Sequence, residues 1–220
     1  FRLVLLAKND AGYKNLIKLV TLAHMEGFYY KPRVDKELLE KYSEGLIAII
    51  PSFSSDILQS LKLGNGEQAE ERLSWYKKTF KEGEDGPNLY FEVTHHPEIE
   101  GHEENMKKIM EFAKKTNTPL VAAHDVYYLN KEDRAARQTL LAVQSQNDEK
   151  IEIKEEDLSF ITQKQAEKYF KNIPEAIENT EKIANRCNLE ISIGKWFLPK
   201  YVVPSGLSYD DELRRITEEG

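Results

Sequence analysis

The sequence predicts an α/β fold, because short apolar runs alternate with amphipathic segments through its first two thirds. The apolar runs are continuous rather than interrupted by polar residues, which is typical of strands buried on both faces of a sheet. Strand followed by helix, repeated along the chain, indicates a parallel α/β architecture. The runs predicted as strands are Leu3–Ala7, Gly45–Ile50, Leu89–Val93 and Pro119–His124.

The segments between these strands have the spacing of helices with one apolar face. In the first of them, residues such as Leu16, Val20 and Ala23 share a face, and Asn9 or Asp10 can cap its start. We predict helices after Asn9 or Asp10, from Asp35 through Tyr42, from Ser54 or Ser55 to about Lys62, over 66–83, over 102–117 and after Asn130.

Beyond Gln144 the pattern changes. Residues 145–157 are polar and are predicted to form a loop. Two helices are predicted next, Thr162–Phe170 and Pro174–Cys187. The aromatic and aliphatic stretch that follows contains Pro199 and Pro204, which indicates an extended linker leading towards a further domain.

Composition excludes several classes of protein. With one cysteine, Cys187, among 220 residues, an internal disulfide is impossible, which is typical of a reducing cytoplasm. No run approaches the roughly 18 apolar residues that span a bilayer, so we expect a cytoplasmic protein without membrane contact. The net charge of −7 repels phosphate backbones, so we do not expect this segment to be the main contact with nucleic acid.

The start of the chain points to a longer polypeptide. It begins at Phe1 with no methionine, already inside a strand-like run. We expect a fragment; the alternative is a recombinant chain whose tag has been removed.

Familiar motifs of catalysis are missing from the sequence. It contains neither G-x-G-x-x-G nor G-x-x-x-x-G-K-[ST], and no G-x-S-x-G. A single cysteine also rules out zinc-finger spacing. These absences leave the histidines and their neighbours as the candidates for chemistry.

The best candidate for chemistry is the pair His124 and Asp125, where the fourth apolar run stops. In a parallel barrel, side chains at the carboxyl ends of the strands converge. Glu92, Ser52 and Arg2 can reach the same place. Histidine and carboxylates can bind a divalent metal and lower the pKa of its water, and the alternative is a hydrogen-bonded polar cluster.

Four other histidines have plainer interpretations. His24 is expected at the surface or in a helix cap, and His102, in an acidic helix start, is expected to be exposed. His95 and His96 follow the third strand, either as solvated loop residues or near a metal. The aromatic and basic stretch "FYYKPR", Phe28–Arg33, either stacks on bases and holds phosphates or packs a loop onto the barrel.

Three stretches carry a resemblance to a known family: "GFYYKPR", "IPEAIENTEKIANRCN" and "LPKYVVPSG". Together with "LVLLAKNDAGYKNLIKLV" and "PLVAAHDVYYLNKEDRAARQTLLAVQ", they resemble the polymerase-and-histidinol-phosphatase (PHP) domain of bacterial replicative DNA polymerases and its junction with the palm domain. The resemblance covers nearly the whole chain.

The resemblance implies a partial, distorted (βα) barrel. It divides the chain into a PHP-type barrel portion without its first strands (1–150), a helical connection (151–195) and a linker with the first helix of the palm (196–220). Some family members bind a metal cluster in the barrel, associated with exonuclease or pyrophosphatase activity. Others keep the domain as a scaffold that contacts the proofreading subunit.

Position by position, the resemblance implies that the metal site has degenerated. Arg2 stands where the metal-binding form has histidine, Ser52 where it has cysteine, and Tyr127 where it has histidine. Asp125 alone keeps a ligand type, although Glu92, His124 and Asp125 are a possible residual set. We expect Arg2 and Asp125 to form an ion pair, because a guanidinium repels Zn²⁺ and Mn²⁺ and can fill their place.

The resemblance also implies partners. The parent is expected to be a DNA-templated DNA polymerase that uses dNTPs and Mg²⁺ outside this chain, with no Zn²⁺ or Mn²⁺ and no cofactor in the fragment itself. Expected partners are the proofreading exonuclease subunit, other replicase subunits and, through the parent, DNA. The alternative is a metal-dependent PHP phosphoesterase or 3'-5' exonuclease.

Overall fold

The computed structural model describes residues 1–144, 157–191, 193–196, 198–204 and 206–220. It is a mixed α/β structure, as predicted, and its four-stranded sheet has the order β1-β2-β3-β4. The elements are β1 Val4–Ala7, α1 Asp10–Met25, α2 Lys36–Lys41, β2 Leu46–Ile50, α3 Asp56–Lys62, α4 Gly66–Thr79, β3 Leu89–Val93, α5 His102–Lys115, β4 Leu120–Ala122, α6 Arg134–Gln144, α7 Gln163–Tyr169, α8 Pro174–Arg186 and α9 Tyr209–Glu219.

Three of the four strands are parallel, and β1 is not. β2 pairs with β3 and β3 with β4 in parallel, whereas β1 runs antiparallel to β2. The prediction of a wholly parallel sheet was wrong at this strand. The chain leaves β1 through α1 and returns through α2 to the same end, where Lys8 N–H donates to the Gly45 carbonyl at 2.8 Å. Because α1 runs away from this end and α2 runs back to it, β2 starts where β1 stops and therefore runs antiparallel to β1.

This arrangement gives the sheet two distinct ends. We call the end where β1 stops and β2, β3 and β4 start the base, and the opposite end, where the parallel strands stop, the mouth. Because β1 is antiparallel, its first residues lie at the mouth.

The sheet is buried on both faces, as the continuous apolar runs predict. On one face Ala48, Phe91 and Leu120 belong to the main core, which also takes in apolar residues of α1, α3, α4 and α5. On the other face Ile47, Tyr90 and Val121 pack with Ile183 of α8. Alternate residues of each strand thus enter different cores.

Local capping fixes where the helices start. The side chains of Asn9, Asp35 and Ser55 accept hydrogen bonds from the backbone N–H groups that open α1, α2 and α3. The helices predicted over 66–83 and 102–117 end earlier, at Thr79 and Lys115. A short 3-10 turn separates Asn130 from α6.

At the base, one arginine of α8 holds the turn that precedes β3. Arg186 donates to Asp85 Oδ2 at 3.0 Å, to Asn88 Oδ1 at 2.7 Å and to the carbonyls of Gly86 and Pro87. Lys8 also reaches Asp85, at 3.1 Å. The hydrogen bond from Arg186 holds the pKa of Asp85 well below its usual range. This cluster, the base clasp, ties α8 to β1 and β3.

The chain divides into two compact units, residues 1–189 and 190–220. In the second, Ser208 caps α9, and Glu212 accepts hydrogen bonds from Tyr201 and Arg215. The loop predicted over 145–157 lies almost wholly outside the described residues. Within the described ranges, no helix has both the length and the apolar character that crossing a membrane requires.

Candidate functional site at the mouth of the sheet

Glu92 and Ser52 meet at the mouth, as the sequence predicts, but they bind each other. Glu92 Oε1 accepts from the backbone N–H of Ser52 at 2.9 Å and from its hydroxyl at 2.7 Å. The Ser52 hydroxyl also lies 3.1 Å from Thr94 Oγ1. Ser52 is fully buried. Oε1 of the Glu92 carboxylate is thus already engaged inside the protein.

His96 occupies the centre of the mouth and is almost completely buried. Its Nδ1 donates to Glu98 Oε1 at 3.2 Å. Its Nε2 has no hydrogen-bond partner and lies 3.7 Å from Asp125 Oδ2, beyond hydrogen-bond distance. The sequence offered solvated loop or metal proximity for this residue, and burial contradicts the first.

His102, the first residue of α5, is buried as well, so the expectation of an exposed side chain was wrong. Residues 96–102 fold back in two turns, because Ile99 N–H donates to the His96 carbonyl and His102 N–H to that of Ile99. His102 Nε2 donates to the Thr94 carbonyl at 3.0 Å, and its ring stacks on Phe53. The fold of the loop, rather than the acidic sequence, determines where this side chain lies.

His124 and Asp125 follow β4, which ends two residues earlier than predicted, at Ala122. The His124 ring stacks on that of His96, with centroids 5.5 Å apart. His124 Nε2 donates to the Ser159 carbonyl at 3.1 Å. The Asp125 side chain is about half exposed, at 53%. The pair thus lies beside His96, with the imidazole inside and the carboxylate towards solvent.

Burial governs the protonation of this group. It lowers the pKa of His102 and of His124, because a charged ring loses its hydration there. Since Nε2 of each ring donates to a carbonyl, Nδ1 of the neutral form carries a lone pair, and in both rings Nδ1 is buried without a partner. Together with His96, three imidazoles therefore hold unused hydrogen-bonding capacity.

Arg2 and Tyr127 lie apart from this group of imidazoles. The Arg2 backbone N–H donates to Ser54, and its side chain lines a groove beside α1 and α2. The ring of Tyr127 is exposed under the guanidinium of Arg137, at 3.9 Å.

The expected ion pair between Arg2 and Asp125 does not form among the described residues. Arg2 precedes the first strand of the sheet and Asp125 follows the fourth, so about three strand spacings, roughly 14 Å, separate them. The ionic contact that the structure gives Asp125 is the one with His96.

The donors at the mouth do not fit the metal cluster that the resemblance implies. Glu92 Oε1 accepts a hydrogen bond from the Ser52 hydroxyl, and Nε2 of His124 donates one to the Ser159 carbonyl. Across the described part of the chain, no three histidine, cysteine, aspartate or glutamate side chains are grouped so that they could hold a metal ion. What the arrangement offers is a buried polar cluster with lone pairs next to one accessible carboxylate.

Sequence reasoning missed three participants: Phe53, Thr94 and His102. Thr94 directly follows β3, so its place at the mouth was available from the strand prediction. The stacking of Phe53 on His102 spans 49 positions and has no local signal in the sequence.

Residues 1–96 match the family model described as the PHP domain. The sheet with its helices is consistent with part of a PHP-type barrel, and the resemblance predicted from the sequence is confirmed.

Curated relatives extend the resemblance over the whole chain. All of this chain aligns with DNA polymerase III subunit alpha of Borreliella burgdorferi, at 33% identity. The protein of the same name from Aquifex aeolicus is 36% identical over 99% of this chain. The protein of the same name from Deinococcus radiodurans is 33% identical over the full chain. The chain spans 17 to 19% of the length of these relatives.

Proposed function

We propose that this chain is part of the alpha subunit of a replicative DNA polymerase III, and that it contributes a PHP domain without catalysis of its own. The observation that supports this most directly is the similarity to relatives of that name along the entire chain. The parent would be a DNA-directed DNA polymerase in the cytoplasm that consumes dNTPs with Mg²⁺ at residues outside this segment.

Within the parent, residues 1–150 would form the barrel portion, 151–195 a helical connection and 196–220 the linker and first palm helix. The work of the segment would be to support the palm and to bind the proofreading exonuclease subunit and other replicase subunits. The engagement of Glu92 by Ser52 supports a scaffold, because both hydrogen bonds fall on Oε1 and tie the end of β3 to the residues that follow β2.

Deletion in the parent tests the scaffold. The full-length protein without residues 1–150 should lose the exonuclease subunit in a pull-down, whereas the intact parent retains it. Primer extension by the intact parent tests the polymerase assignment separately. Undiminished partner capture after the deletion would refute the scaffold proposal.

A second candidate is the metal-dependent phosphoesterase or 3'-5' exonuclease. The unpartnered Nε2 of His96, 3.7 Å from Asp125, favours it. Elemental analysis of a full-length barrel, rather than of this chain alone, separates the two candidates. The degenerate site predicts no stoichiometric zinc or manganese, whereas bound metal that Asp125→Ala removes would establish the phosphoesterase; Asp210→Ala, at an exposed aspartate of α9, is the control.

A further inference from the structure

The segment between α1 and α2 exposes three consecutive aromatic side chains. Phe28, Tyr29 and Tyr30 are 59%, 62% and 83% exposed. Of the two interpretations the sequence allowed for this stretch, packing onto the barrel is contradicted by these exposures. Exposed aromatic residues in a row cost hydrophobic free energy, which suggests that they have a role on the surface.

The loop is held in one shape. Tyr29 N–H donates to the Lys31 carbonyl at 3.1 Å, and the rings of Tyr29 and Tyr30 meet edge to face with centroids 4.7 Å apart. Tyr30 has a left-handed backbone, with φ of 58°, which costs a bulky residue of order 1 kcal/mol. In this conformation the loop presents both tyrosine rings to solvent.

Positive charge accompanies the aromatic rings. Residues 27–34 include Lys31 and Arg33 and no acidic residue. The Arg33 guanidinium lies 5.1 Å from the Tyr29 ring centroid. The loop thus carries two cations, although Glu26 and Asp35 lie directly on either side of residues 27–34.

A groove of about 680 Å³ begins at the end of the loop, where Pro32 and Arg33 line it, and most of its lining residues are apolar. Arg2, His24, Arg33 and Lys36 are among its lining residues. Two carboxylates also line it, and both are engaged by internal donors. Asp35 accepts from Leu38 N–H, and Asp56 accepts from Ile57 N–H and the Tyr76 hydroxyl.

We propose that residues 28–33 and this groove, together the aromatic loop site, bind single-stranded nucleic acid. Bases stack on Tyr29 and Tyr30, and the cations Lys31 and Arg33 take the phosphates, since stacking platforms beside positive charge are what single strands recognise. The choice of DNA over RNA as the natural ligand rests on the proposed polymerase function. The stacking itself does not depend on it.

Fluorescence anisotropy of the whole 220-residue chain tests this proposal. The probe is a labelled oligo(dT) of about 12 nucleotides, within the range that such sites cover. We expect binding at low salt, and Tyr29→Ala with Tyr30→Ala should weaken it roughly tenfold or more. Tyr209→Ala, at a tyrosine that is also exposed, should leave it unchanged.

A second variant tests the phosphate contacts. Lys31→Glu with Arg33→Glu should reduce the slope of log affinity against log salt by about 1.4, because each phosphate contact to a single strand contributes about 0.7. Circular dichroism should show unaltered folding for both double variants.

Three results would decide against or refine the proposal. Absence of wild-type binding at low salt, or equal binding by the double tyrosine variant, would overturn it. Tighter binding of oligo(U) than of oligo(dT), still lost with the tyrosines, would support the aromatic loop site and count against the polymerase assignment.

Discussion

The base and the mouth of the same sheet differ in how completely their polar side chains are hydrogen-bonded. At the base, Arg186 is satisfied by Asp85, Asn88 and two backbone carbonyls. At the mouth, His96, His102 and His124 each keep one buried ring nitrogen without a partner. Buried polar groups are normally paired. The base thus has the character of a structural joint, whereas the mouth contains buried ring nitrogens that no hydrogen bond within the described residues uses.

Removal of Arg186 should have the largest effect. Arg186→Ala removes the donor to Asn88 and to two backbone carbonyls and leaves Asp85 with Lys8 alone. Because the Arg186 side chain is only 10% exposed, we expect a loss of about 3 kcal/mol in the free energy of unfolding. Urea titration followed by circular dichroism measures it. Lys182→Ala, on the solvent side of the same helix, should change it by less than about 0.5 kcal/mol. A loss equally small for Arg186 would show that the base clasp is not a joint.

Close packing at the base predicts the next effect. A Cβ on Gly12 would lie 2.0 Å from the Gly45 carbonyl oxygen, so Gly12→Ala must displace backbone. We expect a loss of about 2 kcal/mol, even though alanine favours helix. Gly66→Ala, in α4 with open space around it, is the control and should be neutral or stabilising. The same urea titration compares them.

At the mouth, Glu92→Ala should cost about 1.5 kcal/mol, because the N–H and hydroxyl of the buried Ser52 lose their acceptor. Glu92→Gln retains an oxygen that can accept from both donors, and should lose less than half as much. Thermal unfolding of the two variants distinguishes them. Equal losses would indicate that the charge, rather than the hydrogen bonds, matters.

The smallest effect is a dependence on pH. Burial lowers the pKa of His102, so the unfolded chain binds more protons just below the ordinary histidine value of about 6.5. Stability should therefore fall as pH drops below that value. In His102→Gln, whose side chain can still donate to Thr94, stability should fall less steeply with pH. In the control His24→Gln, at an exposed ring, stability should fall as steeply as in the wild type. Unfolding midpoints across this pH range measure the slopes.

The sequence predicts most of the fold because its signals are local. Continuous apolar runs identified the four strands. Asp35, and the pairs Asn9 or Asp10 and Ser54 or Ser55, indicated where three helices start; the structure selects Asn9 and Ser55 from the pairs. The antiparallel β1 was missed because strand direction depends on how many helical passes precede the next strand. The base clasp was missed because Arg186 and Asp85 lie 101 positions apart.

At the mouth, the prediction that Glu92 and Ser52 reach one place agrees with the structure, since both follow from strand ends. The burial of His96 and His102 could not be predicted from the sequence. It depends on how residues 96–102, which begin and end with these histidines, fold back in two turns. Arg2 was expected near Asp125 from the strand pattern, and in an ion pair with it from the resemblance. The order of strands, which sequence spacing does not reveal, separates them.

The reversal at β1 also has a consequence for the order of folding. β1, α1, α2 and β2 all lie within the first 50 residues, so their contacts close short loops, whereas the contacts of Arg186 need almost the whole first unit. Short loops close sooner. We expect amides of β1 and β2 to become protected from hydrogen exchange before those of α8 in a pulse-labelling experiment, and simultaneous protection would contradict this. During synthesis on the ribosome, β1 and β2 would then pair before Arg186 completes the base clasp.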